Sequence, residues 1–153
     1  MRYLGILRGS AVVLCSAGVV ELGFPQPPGA DRAGRLEAYF ERNGVPLAQY
    51  AQEFVTAADQ SGLDWRLLPV IALVESGGRV YRHNNIFGWA SGRARFESVP
   101  QAIRHVAQHL AVAAPYAGRD LRGKLRAFNP ANRWYPDYIL KKMRDVAPDG
   151  APR

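Results

Sequence analysis

Apolar residues recur every three or four positions through most of the chain, which is the spacing of one face of an α-helix. In the first half this pattern predicts three helices, separated by Asn-Gly and Ser-Gly breaks. They run from Asp31 to about Asn43, from about Leu47 to Ser61, and from Asp64 to Glu75. Pro69 conflicts with the third helix, because a proline five residues past the expected cap Asp64 removes a backbone hydrogen bond.

The second half continues the helical pattern after one interruption. Ser98 and Gln101 have the spacing of a capping box and predict the start of a helix that ends before Pro115. A short helix is expected around Leu125, and Pro136 predicts the first turn of a last helix.

The interruption contains the segments with strand character. Residues 86–89 and 95–97 predict two short strands, and residues 90–93 between them have the composition of a turn. The expected fold class is therefore all-α with a minor β-hairpin.

The first 30 residues differ from the rest. Arg2 and Arg8 precede an apolar run at 11–20, as in a signal peptide, and a proline-rich spacer follows. We expect a signal peptide and spacer at 1–30, a folded domain at 31–147 and a loose tail at 148–153. Removal of the signal would remove Cys15, the only cysteine, and with it any cysteine chemistry. This organisation predicts export to the periplasm or the cell wall, without stable membrane insertion after cleavage.

Composition indicates the class of partner. The chain has 153 residues, of which 48% are hydrophobic, enough to bury one core. Its net charge of +7 favours an anionic partner, such as a cell-wall polymer, a nucleic acid or an acidic membrane surface.

Glu75 is the candidate for catalysis because it ends an apolar helical run just before Ser76, Gly77 and Gly78. In the last turn of a helix a carboxylate meets the negative end of the helix dipole, and apolar neighbours disfavour its charge further. Both effects favour the protonated form, which is a general acid. The alternative is a solvated Glu near a helix end, the commoner fate of this residue type.

Two motifs around Glu75 resemble the bacterial glucosaminidase family, a member of the lysozyme-like superfamily related to the lytic transglycosylases. They are Ala72-Leu73-Val74-Glu75-Ser76-Gly77 and Asn84-Asn85-Ile86-Phe87-Gly88. The resemblance implies a lysozyme-like domain that cleaves β-1,4 bonds between N-acetylglucosamine and N-acetylmuramic acid in peptidoglycan, with Glu75 as the acid. The chain departs from the family at Gly78, where Trp is frequent, and at Trp89-Ala90, where Ile-Lys is usual.

A second catalytic group is harder to find. Two-carboxylate glycosidases need a second acid about 5 to 9.5 Å from the first. No acidic residue stands between Glu75 and Trp89, and Glu97 is the next candidate. The alternatives are attack by the substrate's own N-acetyl group, or by the muramyl 6-hydroxyl, which gives a 1,6-anhydro product as in the lytic transglycosylases.

A tyrosine near the cleft assists catalysis in these families. The segment Phe128-Asn129-Pro130, followed by Tyr135 and Tyr138, resembles their terminal segment, although Phe128 stands where Tyr is frequent. We expect Tyr138 to be the assisting tyrosine; its alternative is an ordinary aromatic of the helix surface or core.

The candidate substrate contacts are polar and aromatic. Asn84 and Asn85 suit hydroxyl and acetamido groups because an amide both donates and accepts, although Asn is also common in turns. Trp89 and Tyr116 are candidates for stacking on sugar rings. The expected substrate-binding set is Ser76, Asn84, Asn85, Phe87, Trp89, Tyr116 and Tyr135.

Other chemistries have less support. His105 and His109 are four residues apart, but the Glu of the zinc-protease pattern is missing between them, so we expect no metal and no cofactor. No nucleic-acid-binding motif accompanies the basic charge. The expected partner is the peptidoglycan glycan strand, and the alternative function is a non-catalytic wall-binding or scaffold protein that retains the groove.

Overall fold

The computed structural model describes residues 11–15, 18–22, 29–80 and 82–150. Within 29–80 and 82–150 the regular elements are all helices, which confirms the all-α class. The α-helices are α1 (Ala30–Arg42), α2 (Ala51–Gln60), α3 (Leu67–Ser76), α4 (Val99–Val112), α5 (Leu121–Phe128) and α6 (Tyr135–Val146). Short 3-10 helices lie at Ala48–Tyr50 and Arg82–Asn84. In the described ranges no helix is both long enough and apolar enough to cross a bilayer.

The strands lie elsewhere than the sequence predicts. β1 (Ala11–Cys15) and β2 (Gly18–Leu22) pair antiparallel, with Ala11 opposite Leu22. Both fall in the expected signal segment, whose remaining residues, like most of the proline-rich spacer, lie outside the described part of the chain.

The hairpin predicted at residues 86–97 is wrong, because residues 86–87 and 89–93 form turns and residues 94–96 belong to no regular element. Gly88, inside the first predicted strand, has a φ of 61°, which is incompatible with an extended strand. The loop that results is one wall of the cleft that contains Glu75.

The core is centred on α3, whose first six residues, 67–72, are all buried. This helix packs against α2, α4 and α6. Beside it, Phe40, Phe54 and Phe87 form a row of ring contacts with centroid separations of 6.1 and 6.5 Å. Since α3 is held on several sides, its C-terminal turn with Glu75 has a fixed position.

Helix α3 begins later than the sequence predicts, so Pro69 does not interrupt its hydrogen bonds. Asp64 does not cap the helix directly; its Oδ1 accepts from the backbone N–H of Arg66 at 2.9 Å, and the helix begins at Leu67. Pro69 therefore lies in the first turn. The N–H groups of a first turn have no partner within the helix, so the proline costs no helical hydrogen bond there.

Two helix caps are formed by the side chains of polar residues. Ser98 Oγ accepts from Gln101 N at 3.3 Å, and Gln101 Oε1 accepts from Glu97 N at 2.7 Å, which confirms the predicted start of α4. Asp120 caps α5 through a 2.7 Å bond from Gly123 N. Asp31, by contrast, lies in the first turn of α1, and the cap position is Gly29.

The chain after α6 is anchored where the sequence predicts a loose tail. Arg66, only 8% exposed, donates from Nη1 to the Ala147 carbonyl at 2.7 Å and to Asp149 Oδ1 at 3.1 Å. These bonds tie the segment up to Asp149 to the turn before α3. Residues 151–153 are not among those described.

Candidate active site

Glu75 lines a cleft of about 500 Å³. It occupies the last turn of α3, which ends at Gly77 in a left-handed conformation with φ 62°. The cleft is lined by Glu75, Phe87, Gly88, Trp89, Ala90, Ser91, Tyr116, Phe128 and Asn129. The lining thus combines one acidic side chain with four aromatic rings.

Tyr135 positions the Glu75 carboxylate. Its hydroxyl donates to Glu75 Oε1 at 2.7 Å, while its ring is 1% exposed and stacks on Phe128 with centroids 6.0 Å apart and planes 10° from parallel. Burial, and then the bond to Glu75, hold the pKa of Tyr135 far above its usual value of 10.0. Tyr135 therefore remains a neutral hydrogen-bond donor over the whole accessible pH range.

The second oxygen of Glu75 faces the cleft at Gly88. A Cβ atom placed on Gly88 would lie 3.6 Å from Glu75 Oε2. Gly88 has a φ of 61°, so the sharp backbone turn and the missing side chain together leave room beside this oxygen. Because the Tyr135 hydroxyl donates to Oε1, Oε2 is the oxygen that can contact a bound molecule.

The surroundings of Glu75 differ from the expectation of an apolar environment. The residue is exposed, and the hydroxyl of Tyr135 donates to it. A donated hydrogen bond favours the ionised carboxylate, and exposure to water does the same. The apolar surroundings that the sequence predicts for Glu75 are therefore absent at this position.

The two asparagines of the second motif build the wall of the cleft. Asn85, 6% exposed, donates from Nδ2 to the carbonyls of Trp89 (3.0 Å) and Ala94 (3.2 Å), and its Oδ1 accepts from Trp89 N (2.8 Å). Asn84 Nδ2 donates to the Phe96 carbonyl at 2.9 Å. Both side-chain amides therefore stabilise the loop, which is the alternative role of asparagine in turns rather than a role in sugar binding.

The Ser76 side chain also forms its hydrogen bond within the protein. It is 5% exposed, and its hydroxyl donates to the Ala72 carbonyl at 2.7 Å. Its side chain stabilises the end of α3 and does not line the cleft.

The aromatic lining centres on Trp89, which is partly buried. Its ring lies 6.5 Å from Tyr116, 5.9 Å from Phe128 and 5.6 Å from His109, measured between centroids. Tyr116 is 9% exposed, and burial raises its pKa. Phe128 therefore belongs to the same aromatic surface as Trp89 and Tyr116. The sequence indicates Phe128 only as a departure from the family pattern and does not predict this contact.

Two residues expected in catalysis lie away from this cleft. Glu97 is exposed at the start of α4 and does not line the cleft. Tyr138 is 41% exposed, packs edge-on against Trp134 at 5.5 Å and has Lys142 Nζ 5.9 Å from its ring centroid. The tyrosine that contacts Glu75 is Tyr135, which the sequence analysis placed among the substrate contacts.

The histidines of α4 lie behind Trp89. The rings of His105 and His109 are 4.2 Å apart, and burial, then His109, lowers the pKa of His105. His109 Nδ1 donates to the His105 carbonyl at 3.0 Å. Among the described residues, no three His, Cys, Asp or Glu side chains are grouped as a metal site would require.

Fold and site together define an all-α domain with a single carboxylate in an aromatic cleft. Comparisons of the chain with protein-family models, with curated proteins and with solved structures found no match.

Proposed function

We propose that this chain cleaves the β-1,4 bonds between N-acetylglucosamine and N-acetylmuramic acid in peptidoglycan, with Glu75 as the general acid. The domain would be lysozyme-like, and the protein would act in the periplasm or at the cell wall. The observation that carries the proposal is the 2.7 Å bond from the Tyr135 hydroxyl to Glu75 at the edge of an aromatic cleft.

The two oxygens of Glu75 have separate tasks in this proposal. Tyr135 holds Oε1, so the proton for the leaving glycosidic oxygen is carried on Oε2, which faces the open space at Gly88. A sugar bound in the cleft displaces water from around the carboxyl group. Loss of water disfavours the charged form, so Glu75 becomes a proton donor when substrate is bound.

The lining of the cleft suits a carbohydrate. Its volume of about 500 Å³ lies within the range of ordinary ligand clefts, about 300 to 1,000 Å³. The rings of Trp89, Tyr116 and Phe128 offer apolar surface to the C–H faces of sugars. The net charge of +7 also suits a polymer that carries carboxylates.

Glu75 is the only acidic residue that lines the cleft in the described part of the chain. A mechanism with two protein carboxylates therefore lacks its second group. Glu75 protonates the leaving oxygen as the C1–O bond breaks, and a group of the substrate bonds to C1. If that group is the acetamido oxygen, an oxazoline ring forms; water then attacks C1, breaks the bond from C1 to the acetamido oxygen, leaves a hydroxyl group at a reducing end and gives its proton back to Glu75. If that group is the 6-hydroxyl, its proton returns to Glu75 and the product is 1,6-anhydro.

A second candidate is a glycan-binding or scaffold protein without turnover. The observation that favours it is the missing second carboxylate, since Glu75 is the only acidic residue that lines the cleft in the described part of the chain. In such a protein the Glu75 carboxylate accepts hydrogen bonds from sugar hydroxyl groups and no bond is cleaved.

Digestion of purified peptidoglycan separates the two candidates. We expect the full chain to release soluble fragments and Glu75→Gln to release none, with mass spectrometry identifying the end group. Glu41→Gln is the matched control, because Glu41 is exposed on α1 and lies outside the cleft. Binding without release by the unmodified chain would support the non-catalytic candidate instead.

Glu97→Gln tests the single-carboxylate mechanism. Because Glu97 does not line the cleft, we expect this variant to retain the activity of the unmodified chain. Loss of cleavage with unchanged folding would show that Glu97 supplies a second carboxylate after all.

A further inference from the structure

A second cavity of about 470 Å³ adjoins the cleft. It is lined by Arg126, Asn129, Pro130, Asn132 and Arg133, at the C-terminal end of α5 and in the turn before α6. Asn129 lines both cavities, so the two lie side by side. A polymer that extends past Asn129 from the Glu75 cleft would reach the second cavity.

The two arginines of the second cavity are exposed, and neither forms an ion pair with any residue in the described ranges. Other arginines of the same domain are paired. Arg122, one helical turn before Arg126, donates to Asp137 at 2.6 Å, and Arg104 donates to Glu53 at 2.5 Å. The cavity thus holds two guanidinium groups whose donors are available to a ligand.

The amides between these arginines are held in place. Asn132 Nδ2 donates to Asn129 Oδ1 at 3.0 Å, and the Asn132 carbonyl accepts from Tyr135 N at 3.1 Å. The turn that carries Arg133 is thereby connected to Tyr135, the partner of Glu75. Tyr135, the first residue of α6, thus sets the position of this turn relative to Glu75.

We propose that this second cavity, the arginine subsite, binds a carboxylate carried by a branch of the glycan strand, next to the bond that Glu75 cleaves. This inference rests on the proposed function and names its substrate class: strands whose peptide branches bear carboxylates, in preference to neutral strands. Guanidinium groups bind carboxylates through paired, charge-assisted hydrogen bonds, and the Asn129 and Asn132 amides complete a polar lining.

The test compares peptidoglycan strands with the same strands after their carboxylates are converted to amides. Binding is measured in the full chain carrying Glu75→Gln, which removes turnover. We expect this protein to bind the native strands about tenfold more tightly than the amidated strands, a difference of about 1.4 kcal/mol. Addition of Arg126→Gln and Arg133→Gln should reduce that preference to less than about threefold, or about 0.6 kcal/mol.

The matched control carries Arg35→Gln and Arg144→Gln, which remove the same two charges. Both arginines are exposed, on α1 and α6, and line neither cavity. The control should keep the tenfold preference. If the control loses as much of the preference for native strands, the effect is general charge attraction and the subsite is overturned. An unchanged preference in the Arg126 and Arg133 variant would also overturn it.

Two different results distinguish a wrong arginine subsite from a wrong proposed function. Cleavage by the unmodified chain with no preference for carboxylated strands removes only the subsite. Absence of both cleavage and binding to either kind of strand removes the proposed function, and the subsite with it.

Discussion

The hydroxyl of Tyr135 and Oε1 of Glu75, 60 positions apart in the sequence, lie 2.7 Å from each other. This bond joins the first turn of α6 to the last turn of α3, two helices that also pack together. The orientation of the candidate acid is thus set by a residue of another helix.

Replacing Tyr135 with Phe should lower the rate of glycan cleavage about 10- to 100-fold. A hydrogen bond to a charged group contributes about 1.5 to 3 kcal/mol, and without it both oxygens of Glu75 are free to rotate. Phe128 still packs against the new ring, so the fold is retained. Initial rates on purified peptidoglycan measure the effect.

Tyr138→Phe is the control for this prediction. It removes the same hydroxyl group from an exposed ring three residues later, outside the cleft. Its rate should equal that of the unmodified chain. Equal losses in the two variants would show that the hydroxyl of Tyr135 has no special role.

Gly88→Ala should reduce cleavage about tenfold or more. Its new methyl group would lie 3.6 Å from Glu75 Oε2, in the space that the leaving oxygen must occupy within hydrogen-bond distance. Gly92→Ala is the matched variant, because Gly92 has a φ of 78° in the same loop and open space around it. Both variants carry backbone strain of about 1 to 2 kcal/mol, and only the first blocks Oε2. Similar rates in the two would contradict this role for Oε2.

Gly78→Ala should destabilise the fold far more than Gly77→Ala. The two glycines have similar φ angles, 70° and 62°, so the backbone strain is about the same in both. A Cβ at Gly78 would overlap the Val45 side chain, whereas one at Gly77 meets nothing. We expect a loss of about 1 kcal/mol at Gly77 and about 1 to 3 kcal/mol more at Gly78. Denaturant unfolding of the two variants gives the comparison, and equal midpoints would contradict it.

The stability of the domain should fall on acidification through His105. Burial, then His109, lowers the pKa of His105 below 6.5 in the folded protein, so the unfolded chain binds the proton more readily. This contribution is complete above about pH 6.5 and is lost as the pH falls below that value. Urea unfolding between about pH 5 and pH 8 measures the slope.

His105→Gln should flatten this pH dependence, although the loss of ring contacts with Trp89 and Phe96 lowers stability at every pH. A slope that survives in the His105 variant would assign the acid sensitivity to other groups.

The helices could be predicted from the sequence because their signals are local. Ser98 with Gln101 and Pro136 mark helix starts through groups only a few residues apart, and the structure forms both helices there. The sequence pattern places Pro69 too deep in α3, because the helix begins three residues after Asp64, a shift that no local pattern shows.

The hairpin and the assisting tyrosine depend on tertiary structure. Residues 86–89 and 95–97 have strand composition, but the Asn85 side chain bonds to the main chain of Trp89 and Ala94 and holds the segment in a loop instead. Tyr135 and Tyr138 are only about 60° apart around a helix, so the sequence pattern does not distinguish them. Only the packing of α6 against α3 decides which tyrosine contacts Glu75.

The three hydrogen bonds of the Asn85 side chain also bear on the entropy of binding. They hold the loop from Asn85 to Ala94 in its cleft-forming shape through contacts within the protein alone. Ordering a free loop would cost about 1 to 2 kcal/mol for each residue, and that cost would weaken the affinity for any ligand. Because the Asn85 bonds already hold the loop in this shape, a ligand of the cleft would meet a preorganised surface, and its association would need no folding of the loop.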